Sequence, residues 1–254
     1  MLANRDDATH NLAELFKVYT SCPTCGGQYM GEMHDRTTVA WWCRNQDSAS
    51  PASSRCLATI NMAHVLVEED PRVLDGIFTR VLDEATRELG LDNEITLLAL
   101  TKLGGHRARY FDVDEGFALL SRAIAGLRKL PPSETLARAL SKRAGVLALI
   151  ARFDEAVIEA REAWQLTLET FGADNQITFT TFIVFVDIIV RSNSSDRRAL
   201  VEAEALSVDA YARSRRVLGP DHRVTAAMHN VRLDLRRKLQ GCVVSSERTR
   251  AYSP

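Results

Sequence analysis

The amino-acid sequence predicts an all-α protein, an α-solenoid of stacked helical hairpins behind a small irregular N-terminal segment. Three observations carry that expectation. The first is a repeated phrase. Gly90-Leu91-Asp92-Asn93-Glu94-Ile95-Thr96 returns as Gly172-Ala173-Asp174-Asn175-Gln176-Ile177-Thr178 and as Gly219-Pro220-Asp221-His222-Arg223-Val224-Thr225, with a weaker copy at Pro132-Ser133-Glu134-Thr135. The second is its spacing. Thr96, Thr135, Thr178 and Thr225 follow one another at 39, 43 and 47 residues, and a period of about 40 residues inside helical sequence marks stacked helical hairpins. The third is punctuation. Only 13 glycines and 7 prolines occur in 254 residues, which suits helices better than a β-sandwich.

Three regions follow from composition. Residues 1–51 hold Cys22, Cys25 and Cys43, glycines 26, 27 and 31, and the pair Trp41-Trp42. Asn45 to Ser54 is rich in Ser, Asp, Ala and Pro and reads as a loop. Residues 52–240 form the repeat region. Residues 241–254 are polar, end in Pro254 and read as a disordered tail.

The first hairpin pairs about 52–67 with about 71–89. Leu57, Ile60, Met62 and Ala63 give its first helix an apolar face. The turn Glu68-Glu69-Asp70 delivers Pro71 to the first turn of the second helix, where its missing N–H costs nothing. Val73, Leu74, Ile77, Val81 and Leu82 then recur at helical spacing. The second hairpin pairs about 93–106 with 113–129. Gly104 and Gly105 are expected to end its first helix. Asp112, Asp114 and Glu115 open the next, near the positive end of the helix dipole. The third pairs about 133–150 with 154–170, with Ser133 as an N-cap and Ala151-Arg152-Phe153-Asp154 as the turn. The fourth pairs about 175–190 with 196–217. A last helix spans about 222–239, with Leu233, Leu235 and Leu239 as its apolar members.

The phrase itself is first a structural device. Glycine after a helix accepts the left-handed conformation that ends it. Aspartate and asparagine then offer oxygens to cap exposed N–H groups, and His222 is expected as a surface or capping group. Threonine enters the next helix, where its hydroxyl is expected to bond a backbone carbonyl one turn back.

Bulk properties exclude several functions. Net charge is −1, so nothing global points to nucleic acid or to an acidic membrane surface. The apolar stretch Ile177–Val190, interrupted by Asp187, falls short of the ~20 residues a membrane-spanning helix needs. Met1 to His10 is polar and charged with no apolar run behind it, so no secretory leader is expected. Five cysteines, four of them before residue 57, are not a disulfide framework. They point to a reducing, cytoplasmic compartment. No H-E-x-x-H, Ser-His-Asp order or phosphate loop occurs, so no enzyme is expected.

The copies resemble the tetratricopeptide repeats (TPR) of the kinesin-light-chain type, whose linker reads roughly Leu-Gly-x-Asp-His-x-x-Thr. Leu218 to Thr225 carries that pattern. Arg152-Phe153-Asp154-Glu155-Ala156 resembles the turn between that repeat's helices, and Asn61-Met62-Ala63 its Asn-Leu-Ala element. The resemblance covers about residues 52–240. It implies a right-handed TPR-like superhelix of about four hairpins whose first helices line a concave groove for a peptide or protein. Asn61, Thr101 and Asn230 are the candidate partner-binding residues. The sequence departs from the pattern at Thr101, Leu140 and Ile183, near the place of the repeat's asparagine, and at Gly104-Gly105-His106-Arg107.

Cys22-Pro23-Thr24-Cys25-Gly26-Gly27 is the sharpest chemical motif. A C-x2-C turn points two thiolates at one Zn²⁺. The segment resembles the closing half of a RING-like zinc finger, and no cysteine precedes it. A degenerate finger without metal is one reading; a zinc site of Cys22, Cys25, Cys43 and Cys56, with His34 and His10 as alternative ligands, is another. Metal shared with a second chain and a redox pair remain open. Trp41-Trp42 reads as a cap over the end of the solenoid or as a binding pair. The expected function is a protein-interaction scaffold whose partner is a protein or peptide, not nucleic acid or membrane. The alternative is a zinc-finger adaptor in ubiquitin transfer, with the repeats as substrate receptor.

Overall fold

The computed structural model describes the backbone of residues 29–35, 38–43, 71–192 and 197–251, and side chains within 71–192 and 198–240. Two compact units emerge, Met1–Leu103 and Gly104–Pro254.

In the first unit, β1 (Tyr29–Asp35) and β2 (Thr38–Cys43) pair antiparallel, with Met30 opposite Trp42 and Gly31 opposite Trp41. A register irregularity lies between Met33 and Asp35. The first helix expected over 52–67 lies outside the described residues. Helix α1 (Pro71–Leu89) has the expected bounds and buries Leu74, Ile77, Phe78, Val81 and Ala85. That is one stripe at three- and four-residue steps. Helix α2 (Glu94–Tyr110) begins in this unit and ends in the second.

The second unit continues with α3 (Val113–Leu127), α4 (Glu134–Leu149), α5 (Phe153–Phe171), α6 (Gln176–Arg191), α7 (Arg197–Leu218) and α8 (Arg223–Ala251). Helix α8 runs past Gly241, where the sequence reading starts a tail. No proline follows until Pro254, so nothing in the backbone chemistry stops the helix there. Each first helix packs on its hairpin partner, α4 on α5 and α6 on α7. Successive hairpins join through α4 on α6 and α6 on α8, and through α3 on α4, α5 on α6 and α7 on α8.

The core alternates small and large residues. Ala123, Ala137, Ala139, Ala144, Ala156, Ala160 and Ala163 are fully buried, which lets helices approach closely. Phe179, Phe182 and Phe185 fill the space they leave. Trp164 stacks on Phe185 with ring centroids 5.6 Å apart and tilts against Phe182 at 5.1 Å. Arg143 ties three helices together. Its guanidinium donates to both carboxylate oxygens of Glu159, at 2.5 and 2.9 Å, and to Ser121 Oγ at 3.2 Å.

The expected helix end at Gly104-Gly105 is corrected, because α2 passes through both glycines to Tyr110. The reason is tertiary contact. A Cβ on Gly104 would lie 3.0 Å from Leu119 Cβ and 3.0 Å from the Leu120 backbone nitrogen. One on Gly116 would lie 2.4 Å from the Ala108 nitrogen. The α2–α3 crossing is therefore built on bare backbone. Two glycines inside a helix cost roughly 1 kcal/mol each relative to alanine, and the close approach offsets that cost.

Candidate functional site

The repeated phrase builds the same junction three times. Gly90, Gly172 and Gly219 take φ of 86°, 80° and 91°, the left-handed conformation that ends the preceding helix. Three residues on, a side chain caps the next helix. Asn93 Oδ1 accepts from the Ile95 N–H at 2.9 Å, and Asn175 Oδ1 accepts from the Ile177 N–H at 2.9 Å. In the third copy His222 Nδ1 accepts from the Val224 N–H at 3.2 Å, so a ring nitrogen stands where the others have an amide oxygen. Ser133 Oγ caps α4 as expected, accepting from the Leu136 N–H. The aspartate has another task in the second copy. Asp174 takes ion pairs from Arg213 and Arg216 of α7.

The threonine corrects the sequence reading. Its hydroxyl does not reach back one turn of its own helix. Thr96 Oγ1 donates to the Ala85 carbonyl at 3.1 Å, eleven residues back. Thr178 reaches the Thr167 carbonyl and Thr225 the Ser214 carbonyl, again eleven back, at 3.2 and 3.3 Å. Thr178 and Thr225 also lie 2.8 Å from the carbonyls of Gly172 and Gly219. All three hydroxyls are buried and strap a first helix to the helix before it. Thr135 of the weaker copy is buried too, but it is the second residue of α4 where the other three are third in their helices.

The sequence-nominated site residues fare unequally. Asn61 lies outside the described residues, as do Cys22, Cys25 and Cys56. Of the four thiols only the backbone of Cys43 is described, at the end of β2. Trp41 and Trp42 are likewise placed only by the pairing of β2. Thr101 is fully buried and donates its hydroxyl to the Leu97 carbonyl at 2.8 Å, so it presents nothing to a ligand. Asn230 is exposed on α8, one turn before exposed Asp234. The basic run near the chain end is spent within the fold. Arg236 pairs with Glu204 and Arg237 with Asp234. Lys238 Nζ donates to the carbonyls of Ile189, Val190 and Ser192 at the end of α6.

Two features escape the sequence. The first is a cluster of cations where α2 meets α4. The partly buried Lys142 side chain crosses α2 at Gly105, where a Cβ would lie 3.0 Å from Lys142 Cδ and 3.1 Å from its Nζ. Burial, and then the charges of Arg138 and Arg109, push the Lys142 ammonium below the ordinary lysine range. Arg138 is paired with Glu134, and Arg109 lies over the Tyr110 ring at 5.4 Å. Among the described residues no carboxylate pairs with Lys142 or Arg109. The trace in sequence is Arg138 and Lys142 one turn apart, with an acid only at Glu134. The second is a cavity of about 140 Å³ between α5 and α7 over the start of α6. Trp164, Leu168, Phe179, Phe182 and Leu206 wall it, with Asp209 and Arg213 at its polar side. Both need contacts between helices far apart in sequence.

Among the described residues no helix is long and apolar enough to cross a membrane, and no group of three or more His, Cys, Asp or Glu is placed to hold a metal. No family model matches the chain, and no curated protein sequence does. Solved structures do match. A crystal structure of the nearly identical TPR-like repeats of a Podosopora anserina kinesin light chain, in a point-substituted form, is 15% identical, with a TM-score of 0.58 over 80% of this chain and 96% of that one. A second crystal structure of those repeats gives 13% identity and a TM-score of 0.55 over 79% of this chain and 100% of that one. BtubC (BKLC) from P. vanneervenii is 16% identical, with a TM-score of 0.55 over 80% of this chain and 84% of that one. At these identities the likeness speaks for architecture, and the architecture is that of a TPR-like helical repeat solenoid.

Proposed function

We propose that the chain is a protein-interaction scaffold that holds a peptide or protein segment along the face of its first helices. The observation that carries this reading is the serial packing of α4 on α6 and α6 on α8. Stacked first helices offer one polar stripe per layer to a ligand that runs across them. Arg138 and Lys142 share a face of α4, Thr180 and Asp187 a face of α6, and Asn230 and Asp234 a face of α8, each set at helical spacing. Side chains repeated at layer spacing suit an extended ligand, which meets one set per layer. The fold neighbours support the scaffold class. The absence of a catalytic motif from the sequence is in keeping with it.

The test is a random-peptide display screen against the full chain. Affinities of the recovered peptides are then measured for Asn230→Ala and Asp234→Ala on α8 and for Ile158→Ala on α5. The expected result is weaker binding for the α8 pair and no change for the α5 control. A screen that yields no binder, or binders that respond only to Ile158→Ala, rejects the reading.

A further inference from the structure

We infer that the surface where α2 meets α4, around Lys142 and Arg109, is a phosphate-recognition subsite for a phosphorylated side chain of the bound segment. The inference rests on the scaffold reading and adds the chemistry of one contact to it.

Charge is the first argument. Lys142, Arg138 and Arg109 gather three cations from two helices. Glu134 matches Arg138. Lys142 and Arg109 have no acidic partner among the described residues, so two positive charges stand unneutralised. A partly buried ammonium without a carboxylate is unusual, because taking a charge out of water is unfavourable unless an opposite charge meets it. Among the described residues the charges that bear on Lys142, those of Arg138 and Arg109, are positive and make its ionised form harder to hold. An arriving anion reverses that penalty.

Shape is the second argument. The lysine lies across Gly105, so no side chain of α2 stands over it. Gly145, almost one turn further along α4, has open space where its Cβ would be. Arg109 is exposed beside them. The lysine itself fills the space over Gly105, and the open space at Gly145 leaves room for a ligand on the same face of α4.

Stoichiometry of charge selects the ligand. One carboxylate would neutralise half of the excess. A phosphate monoester carries about −1.5 to −2 charge near pH 7 and three acceptor oxygens. It accepts from the Lys142 ammonium and the Arg109 guanidinium together.

The test uses the full chain and two short capped probes, acetyl-Gly-phosphoSer-Gly-amide and acetyl-Gly-Glu-Glu-Gly-amide, titrated at constant ionic strength. Inorganic phosphate is a third arm that reports the bare anion. Phosphoserine is expected to bind more tightly than the Glu-Glu probe. Lys142→Met and Arg109→Gln are each expected to weaken it by about tenfold or more, the scale of a charge-assisted hydrogen bond. Arg216→Gln, on α7, is expected to leave it unchanged. Arg109 is exposed, so its variant tests the idea even if Lys142→Met disturbs the fold. Equal binding of the two peptide probes, or phosphoserine binding unaffected by both variants, overturns the proposal. Phosphate alone binding as well as phosphoserine makes the site a receptor for the free anion and overturns the peptide assignment. The scaffold reading has its own failure, a display screen without binders, and survives any of these outcomes.

Discussion

Replacing Thr178 by valine removes one hydroxyl and keeps the branched shape. The structure fixes what is lost. The hydroxyl is 3% exposed at the residue level and sits 2.8 Å from the Gly172 carbonyl and 3.2 Å from that of Thr167. A net hydrogen bond is worth about 0.5–1.5 kcal/mol, and a buried acceptor left short adds to that. The expected cost of Thr178→Val is therefore about 1–2 kcal/mol. For a chain of this size that corresponds to a fall in Tm of about 3–6 °C. Thr180 is the internal control. It lies on the same helix, but its hydroxyl is exposed and bonds only the Gln176 carbonyl one turn back. Thr180→Val is expected to stay within about 0.5 kcal/mol of the parent. Urea unfolding followed by far-UV circular dichroism measures both. Equal effects of the two substitutions would refute the strap, since the loss would then belong to threonine in a helix and not to the link between helices. Thr225→Val, with the same partners one layer on, should match Thr178→Val, and the double variant should be additive.

Other outcomes follow from single contacts. Gly145→Ala is expected to raise stability by roughly 0.5–1 kcal/mol, because its Cβ meets nothing and helix propensity improves. Gly116→Ala is expected to lower it by about 1–3 kcal/mol through overlap with the Ala108 backbone; the same urea series reads both. Glu159→Ala strands the Arg143 guanidinium, 15% exposed, and is expected to cost about 2–3 kcal/mol. Arg143→Met with Glu159→Leu should recover most of that in a double-mutant cycle. Lys142 gives a pH signature. Its folded pKa lies below the unfolded 10.5, through burial first and then Arg138 and Arg109. The penalty is thus fully present below the folded pKa and fades as pH rises toward 10.5. Parent stability should gain on Lys142→Met across that window, and a difference between the two proteins that does not change with pH would contradict it.

Much of the architecture was legible from local signals. The positive-φ glycine, the asparagine cap and the threonine each act within a few residues, so the phrase at Gly172–Thr178 placed the α5–α6 junction before any contact was known. The start of α1 at Pro71 and the Ser133 cap were readable for the same reason. What failed was long-range. Gly104 resembles a helix terminator until Leu119 and Leu120 are seen against it. The partner of Thr178 could not be guessed from its own helix, because that partner lies on α5. Lys142 looks like an ordinary surface lysine until Gly105 and Arg109 are brought beside it. Thr101 is a different case: as a polar residue on a first helix it is a candidate contact, yet its buried hydroxyl already donates to the Leu97 carbonyl.

Lys238 bears on how the chain is made. The three carbonyls it satisfies belong to residues 46 to 49 positions earlier. During synthesis from the N-terminus, α6 therefore leaves the ribosome with its last turn unfinished, and α7 passes before the closing amine arrives. A nascent chain halted ahead of residue 238 lacks the amine that meets these carbonyls, and water must meet them in its place. Release of the final helix seals that turn.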